Sequence, residues 1–297
     1  SNFLTPAMSL FRRRELLAVL AGLTAFGVGM GEAWAGPSKK STKRQQNRKS
    51  IGKPTPPTLP TTRAKPKLVV LDPGHGGKDP GALGARGTQE KRIVLTIARA
   101  VQRELLAGGR YRVLLTRNSD TYIALRERVA RAQAAKADLF LSLHADSHDN
   151  SDVRGASVYT LSEDASDREA AALAARENRA DAVVSGMRLA DKPDNVAQTL
   201  VAMSQRGTVN ESRRLAETIV ATFARNGVRL LPRTHRQAGF AVLTSAEIPA
   251  ALVELGYLSN PQDEKLLTVR QHQLSLARAL RASVDAYFGA SVATRKA

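Results

Sequence analysis

One histidine set among glycines at the end of an apolar run constrains this chain more than any other feature. Residues 71–77 read LDPGHGG, and the apolar residues just before them read as a buried strand. Gly74, Gly76 and Gly77 strip away neighbouring side chains and permit a sharp turn, which leaves His75 open to a metal or a substrate. Packing alone seldom calls for such a sequence at a strand end.

Strand and helix signals alternate from residue 67 to residue 288. Apolar runs predict strands at 68–71, 111–116, 138–143, 155–161, 240–243 and 250–255. Val94, Ile97, Ala98, Val101 and Leu105 recur at helical spacing, and Gly108-Gly109 stops that helix. A second helix is predicted at 123–137, with Asn118-Ser119-Asp120 as its turn and cap. Further helices are expected at 211–226 and 261–288, and the polar, alanine-rich stretch 167–205 reads as helical with a break at Pro193. The alternation predicts a single α/β domain around a central, mostly parallel sheet flanked by helices.

The chain has no cysteine, so any metal must sit on histidines and carboxylates. His144, in SLHAD, ends an apolar strand as His75 does, and ligands gather at the C-terminal edge of such sheets. Glu90 opens the first helix, where it either joins the histidines or simply favours the helix dipole. Two histidines and one carboxylate form a normal catalytic zinc set with a fourth position for water. Glu254 interrupts the apolar run LVELG, and a carboxylate buried there is costly. It reads either as a general base and acid for water and a leaving amine, or as half of a salt bridge to an arginine. His148, His235 and His272 lack this context and read as surface or packing residues. Asp72 either orients a ligand histidine or stabilises the turn.

The formal charge is +18, and much of it lies in residues 36–66, which hold nine Lys or Arg, six prolines and no acid. That stretch reads as a disordered basic linker. An anionic envelope surface is its expected partner rather than nucleic acid, and a solvated spacer is the alternative. Ser1–Ala7 precede Met8 and read as a leader. Arg12, Arg13 and Arg14, an apolar stretch at 16–30 and Ala33-Trp34-Ala35 then form a signal peptide, so 1–35 is expected to be removed on export. The paired arginines resemble a twin-arginine signal, which implies a periplasmic protein. An apolar stretch of about 15 residues is short for a membrane span.

Taken in order, DPGHGGKDPGALG, QEK, SLHAD and VELGYLSN resemble the zinc-dependent N-acetylmuramoyl-L-alanine amidases of bacterial cell division, the amidase_3 family. TRNSDTYIALRERVARA fits that family's second helix and its approach, so the resemblance covers roughly residues 67–288, within a catalytic domain expected at 67–290. It implies a six-stranded α/β domain, Zn2+ held by His75, Glu90 and His144, and Glu254 as the catalytic glutamate. Tyr257 stands where many members have phenylalanine, a change expected to leave the chemistry untouched. The implied reaction is hydrolysis of the amide between the muramic acid lactyl group and L-alanine of peptidoglycan stem peptides, in wall remodelling and daughter-cell separation. Residues 162–205 match an autoinhibitory helical insertion of the division enzymes, which a catalytically inactive LytM-domain activator displaces. Glu177 is then the expected inhibitory metal ligand, with Glu169 and Glu163 behind it, against an ordinary helix ion pair with a neighbouring arginine. Two other functions remain open: a zinc endopeptidase or carboxypeptidase on the same peptides, and a non-catalytic wall-binding homologue.

Overall fold

The computed structural model describes residues 65–185 and 195–294. The expected signal peptide lies outside these residues, as do Pro193 and all of the linker except Lys65 and Pro66. In chain order the elements are β1 (Lys67–Pro73), α1 (Glu90–Ala107), β2 (Tyr111–Leu115), α2 (Leu125–Ala134), β3 (Leu139–His144) and β4 (Ala156–Leu161). They continue with α3 (Arg168–Ser185), α4 (Asn195–Arg225), β5 (Leu230–Ala238), β6 (Ala250–Glu254), α5 (Pro261–Thr268) and α6 (Arg270–Thr294). The six strands form one sheet in the order β2-β1-β3-β6-β4-β5. All neighbours run parallel except β4 and β6, which are antiparallel.

Strand residues alternate between two apolar layers, as the two-residue period of a strand requires. Val69, Leu71, Leu139, Leu141, Leu143, Ala251 and Val253 pack with Val94, Ile97 and Val101 of α1, Leu215 and Ile219 of α4, and Leu276 and Leu280 of α6. Val70, Phe140, Tyr159, Ala250 and Leu252 face the other way, against Ala132 of α2, Ala170, Leu173 and Ala174 of α3, and Phe240 and Val242. Burial on both faces is why these strands read as unbroken apolar runs. Among the described residues no helix is long and apolar enough to cross a membrane.

Three local expectations are corrected. The predicted strand at 240–243 is a 3-10 turn, Ala241–Leu243, and the strand lies just before it in β5, which runs LLPRTHRQA. β5 forms the sheet edge, where a proline and partly exposed charges are tolerated and no burial period marks the strand. Asn118, Ser119 and Asp120 do not cap α2, which begins after Ala124 without a side-chain cap. Asp120 instead accepts hydrogen bonds from the Gly77 amide and from Lys91 Nζ, both at 2.8 Å. Finally, α4 runs unbroken through position 205, so the end expected for the insertion falls inside a helix whose later turns belong to the core.

Candidate metal centre

The two-residue period explains which side chains meet. Val70, Phe140 and Leu252 face α2 and α3, so Asp72, Ser142, His144 and Glu254, at even spacings further along the same strands, point to that side as well. The parallel register pairs Asp72 with Ser142 and His144 with Glu254, at the C-terminal ends of β1, β3 and β6. His75 arrives from the loop after β1. Close approach there depends on glycine: a Cβ on Gly74 would lie 2.4 Å from His144 Cε1, and one on Gly81 would lie 2.6 Å from both Glu90 Oε2 and His75 Cδ2.

His75 and His144 meet edge to face with ring centroids 5.0 Å apart. Glu90, the fully buried first residue of α1, lies between them, with Oε2 3.1 Å from His75 Nε2 and Oε1 3.1 Å from His144 Nδ1. The Ala82 and Ala145 amides donate to those two oxygens at 2.8 Å, so the carboxylate does more than favour the helix dipole. Glu177 enters from α3, its Oε2 3.2 Å from His144 Nδ1 and 3.6 Å from His75 Nε2. It continues the buried stripe Ala170, Leu173, Ala174 at helical spacing, a signal in the sequence that separates it from Glu169. Glu169 pairs instead with Arg236 at 2.6 Å, and Glu163 is exposed. The neighbouring Arg176 pairs with Asp146 rather than with Glu177.

His75 Nε2 and His144 Nδ1 are buried and have no hydrogen-bond partner, which suits nitrogens that bind a cation. Ligand atoms of His75, His144 and Glu177 lie within 4.8 Å of one another, and this group can hold a metal ion. The opposite ring nitrogens are fixed by partners that sequence reasoning either missed or left open. His75 Nδ1 meets Asp79 Oδ2 at 2.8 Å, and His144 Nε2 meets Ser142 Oγ at 3.2 Å. Ser142 in turn donates to Asp72 Oδ2 at 2.8 Å, so Asp72 acts on His144 at one remove. Such partners set the tautomer that leaves the metal-facing nitrogen its lone pair.

Burial depresses the His75 imidazole, but the facing carboxylates of Glu90 and Glu177 outweigh it and raise its pKa well above the ordinary value. Glu90 is the converse: burial pushes its carboxyl up, and the two histidines hold it well below the usual range. Glu254 has no such counterweight. Its burial, then the charges of Asp146, Glu90 and Glu177, push its carboxyl well above the usual range. Its Oε2 accepts the Asp146 amide at 3.0 Å while Oε1 has no partner, and no arginine pairs with it among the described residues.

The chain that carries this site is similar to known proteins over most of its length. Residues 69–286 match the family described as N-acetylmuramoyl-L-alanine amidase, Amidase_3. The chain belongs to this family. Its similarity to the N-acetylmuramoyl-L-alanine amidase AmiA of Salmonella typhimurium is 39% identity over 278 residues, which is 93% of this chain and 91% of that protein. AmiC of Neisseria meningitidis is 39% identical over 237 residues, 77% of this chain, and the match spans 54% of the Neisseria protein. The structure of an N-acetylmuramoyl-L-alanine amidase of Nostoc punctiforme superposes with a TM-score of 0.55 at 28% identity, covering 75% of this chain and 97% of that one. In this amidase the mixed six-stranded sheet flanked by helices forms a single domain.

Proposed function

We propose that the protein is a zinc-dependent amidase that cleaves the bond between the muramic acid lactyl group and L-alanine of peptidoglycan stem peptides. The observation that carries this reading is the convergence of two buried, unpartnered imidazole nitrogens on Glu90 and Glu177, beside the unpaired Oε1 of Glu254. A donor set of imidazole and carboxylate without thiolate suits zinc. His75, Glu90 and His144 would hold it, and when bound it supplies Lewis-acid polarisation of the scissile carbonyl and makes water a stronger acid.

Glu254 does the proton work. The Asp146 amide holds Oε2, which leaves Oε1 to take a proton from the attacking water and return it to the departing alanine nitrogen. A carboxyl whose pKa is already raised by burial keeps that proton long enough to deliver it. The test is digestion of purified peptidoglycan by the protein, with mass spectrometry of the products. Release of intact stem peptides, lost with a strong chelator and restored by zinc, is the expected result. Shortened peptides would replace the amidase by an endopeptidase or carboxypeptidase, and zinc-indifferent cleavage would remove the metal assignment.

We further propose that α3 holds the enzyme in check, with Glu177 in the position that substrate or water needs. Its seating supports this. Arg176 pairs with Asp146, Asn178 donates to the Gly239 carbonyl at 2.8 Å and accepts the Ala241 amide at 2.9 Å, and Ala170, Leu173 and Ala174 are buried against the sheet. Removing 162–205 would uncover that apolar layer and cut α4, so a point substitution is the cleaner probe. Glu177→Ala is expected to raise basal peptide release by roughly 5–150-fold, the span of a 1–3 kcal/mol coupling. Release unchanged from wild type would sink the autoinhibition. Export to the periplasm by the twin-arginine route, activation by a LytM-domain partner and attraction of the basic linker to an anionic envelope complete the proposal.

A further inference from the structure

We infer that Arg117 and Arg128 are positioning residues that set the backbone of His75 and, through it, the affinity for the metal. The inference rests on the reading of His75 as a ligand, and neither arginine has a role in the chemistry proposed above.

His75 has φ of 58°, in the left-handed region that residues other than glycine seldom adopt. Such a conformation persists only where the surroundings over-determine it. Here they do. After β1 the chain leaves the sheet, and the carbonyls of Pro73, Gly74 and His75 need donors from elsewhere. Arg117 Nε donates to Pro73 O at 2.9 Å and its Nη2 to Gly74 O at 2.7 Å. Arg128 Nη1 donates to Pro73 O at 2.9 Å and its Nη2 to His75 O at 2.8 Å. The Gly74 carbonyl belongs to the peptide plane before His75, and the His75 carbonyl to the plane after it. One guanidinium holds each plane. Fixing both planes fixes both backbone torsions of His75, and therefore the direction in which its side chain leaves.

The side chains are built for this task. Both arginines are only 2% exposed. A guanidinium is a rigid fork that can span two carbonyls, whereas a lysine ammonium is a point donor on a flexible stem. Arg128 also donates to Asp72 Oδ1 at 2.9 Å, and Asp72 accepts from Ser142, which touches His144. One cation thus ties together the supports of both histidines. Arg117 is anchored differently, giving its remaining hydrogen bonds to the carbonyls of Lys91 and Ser119. Its replacement leaves the Asp72–Arg128 ion pair in place.

The test is zinc affinity, measured by competition with a chromophoric chelator on the full chain. The variants are Arg117→Lys, Arg128→Lys, His75→Ala and, as a control, Arg131→Lys on the exposed side of α2. Melting of the metal-free proteins is followed in parallel. Both clamp variants are expected to lose about 10–100-fold in affinity, the usual cost of removing a group that orients a ligand, at temperatures where they remain folded. Their peptide release should recover at saturating zinc, which a general loss of structure would not allow. Arg131→Lys should bind as wild type does. If Arg128→Lys does not fold, Arg117→Lys decides the matter. Affinity within about twofold of wild type in a folded clamp variant, alongside a defective His75→Ala, overturns the inference and spares the ligand assignment. Wild-type affinity in His75→Ala overturns both.

Discussion

Glu254→Gln is expected to lower kcat by about 10²–10⁴-fold, the usual contribution of a positioned general acid-base, with zinc content unchanged. Glutamine keeps the shape and can still accept the Asp146 amide that holds Oε2. It cannot take the proton that water gives up. Zinc should stay because the two unpartnered imidazole nitrogens face Glu90 and Glu177 rather than Glu254. Stability should hold or rise, since an unpaired carboxyl is replaced by a neutral amide at a fully buried position. Stored destabilisation of this kind is common at active sites. Single-turnover peptide release and metal analysis on the same preparation check both halves. Normal turnover would end the assignment, and loss of zinc would recast Glu254 as a ligand.

Asp72→Ala is expected to destabilise the protein by about 3–5 kcal/mol, because it strands the charge of Arg128 in the interior. Both partners are fully buried, 2.9 Å apart. The carboxylate also accepts Thr116 Oγ1 at 2.5 Å and Ser142 Oγ at 2.8 Å, and both hydroxyls would lose their acceptor. For a domain of this size the melting temperature should fall by roughly 6–20 °C. The pH dependence has a definite sign. Burial pushes the Asp72 carboxyl up, but Arg128 and the hydroxyl hydrogen bonds outweigh it and hold the carboxyl below its ordinary value. A depressed carboxyl contributes its stability in full above the unfolded value of about 4, and loses it as pH falls through the folded value. The gap between wild type and Asp72→Ala should therefore be constant near neutrality and shrink below about pH 4. Urea unfolding at several pH values measures it, and a gap below about 1 kcal/mol at neutral pH would show that Arg128 is satisfied by carbonyls alone.

Much of this site was legible in the chain because its signals are local. Glycines around His75, a histidine ending the run before Ala145, and an acid interrupting LVELG each break a strand pattern at the end where ligands collect. The two-residue period alternates the faces within each strand, and the parallel register then turns Asp72, His144 and Glu254 to one side. α3 was legible further than it was read, since Ala170, Leu173 and Ala174 place Glu177 on the buried stripe. β5 was not, because an edge strand shares only one border and needs no apolar rhythm. The apolar run at 240–243 looked like a strand only because burial against α2 and α3 selects the same residue types as burial in a sheet.

What the sequence determined by itself is the α/β sheet and the candidate residues at the C-terminal edge of its strands. The tertiary structure alone decided how the internal charges would be satisfied. Arg117 lies outside any periodic element, and although Arg128 shares the buried stripe of Val129 and Ala132, nothing in that spacing says what meets its charge. An arginine is buried where carbonyls and a carboxylate from distant segments converge on its fork, and that convergence exists only once β1, β3 and the β2–α2 connection have been brought together.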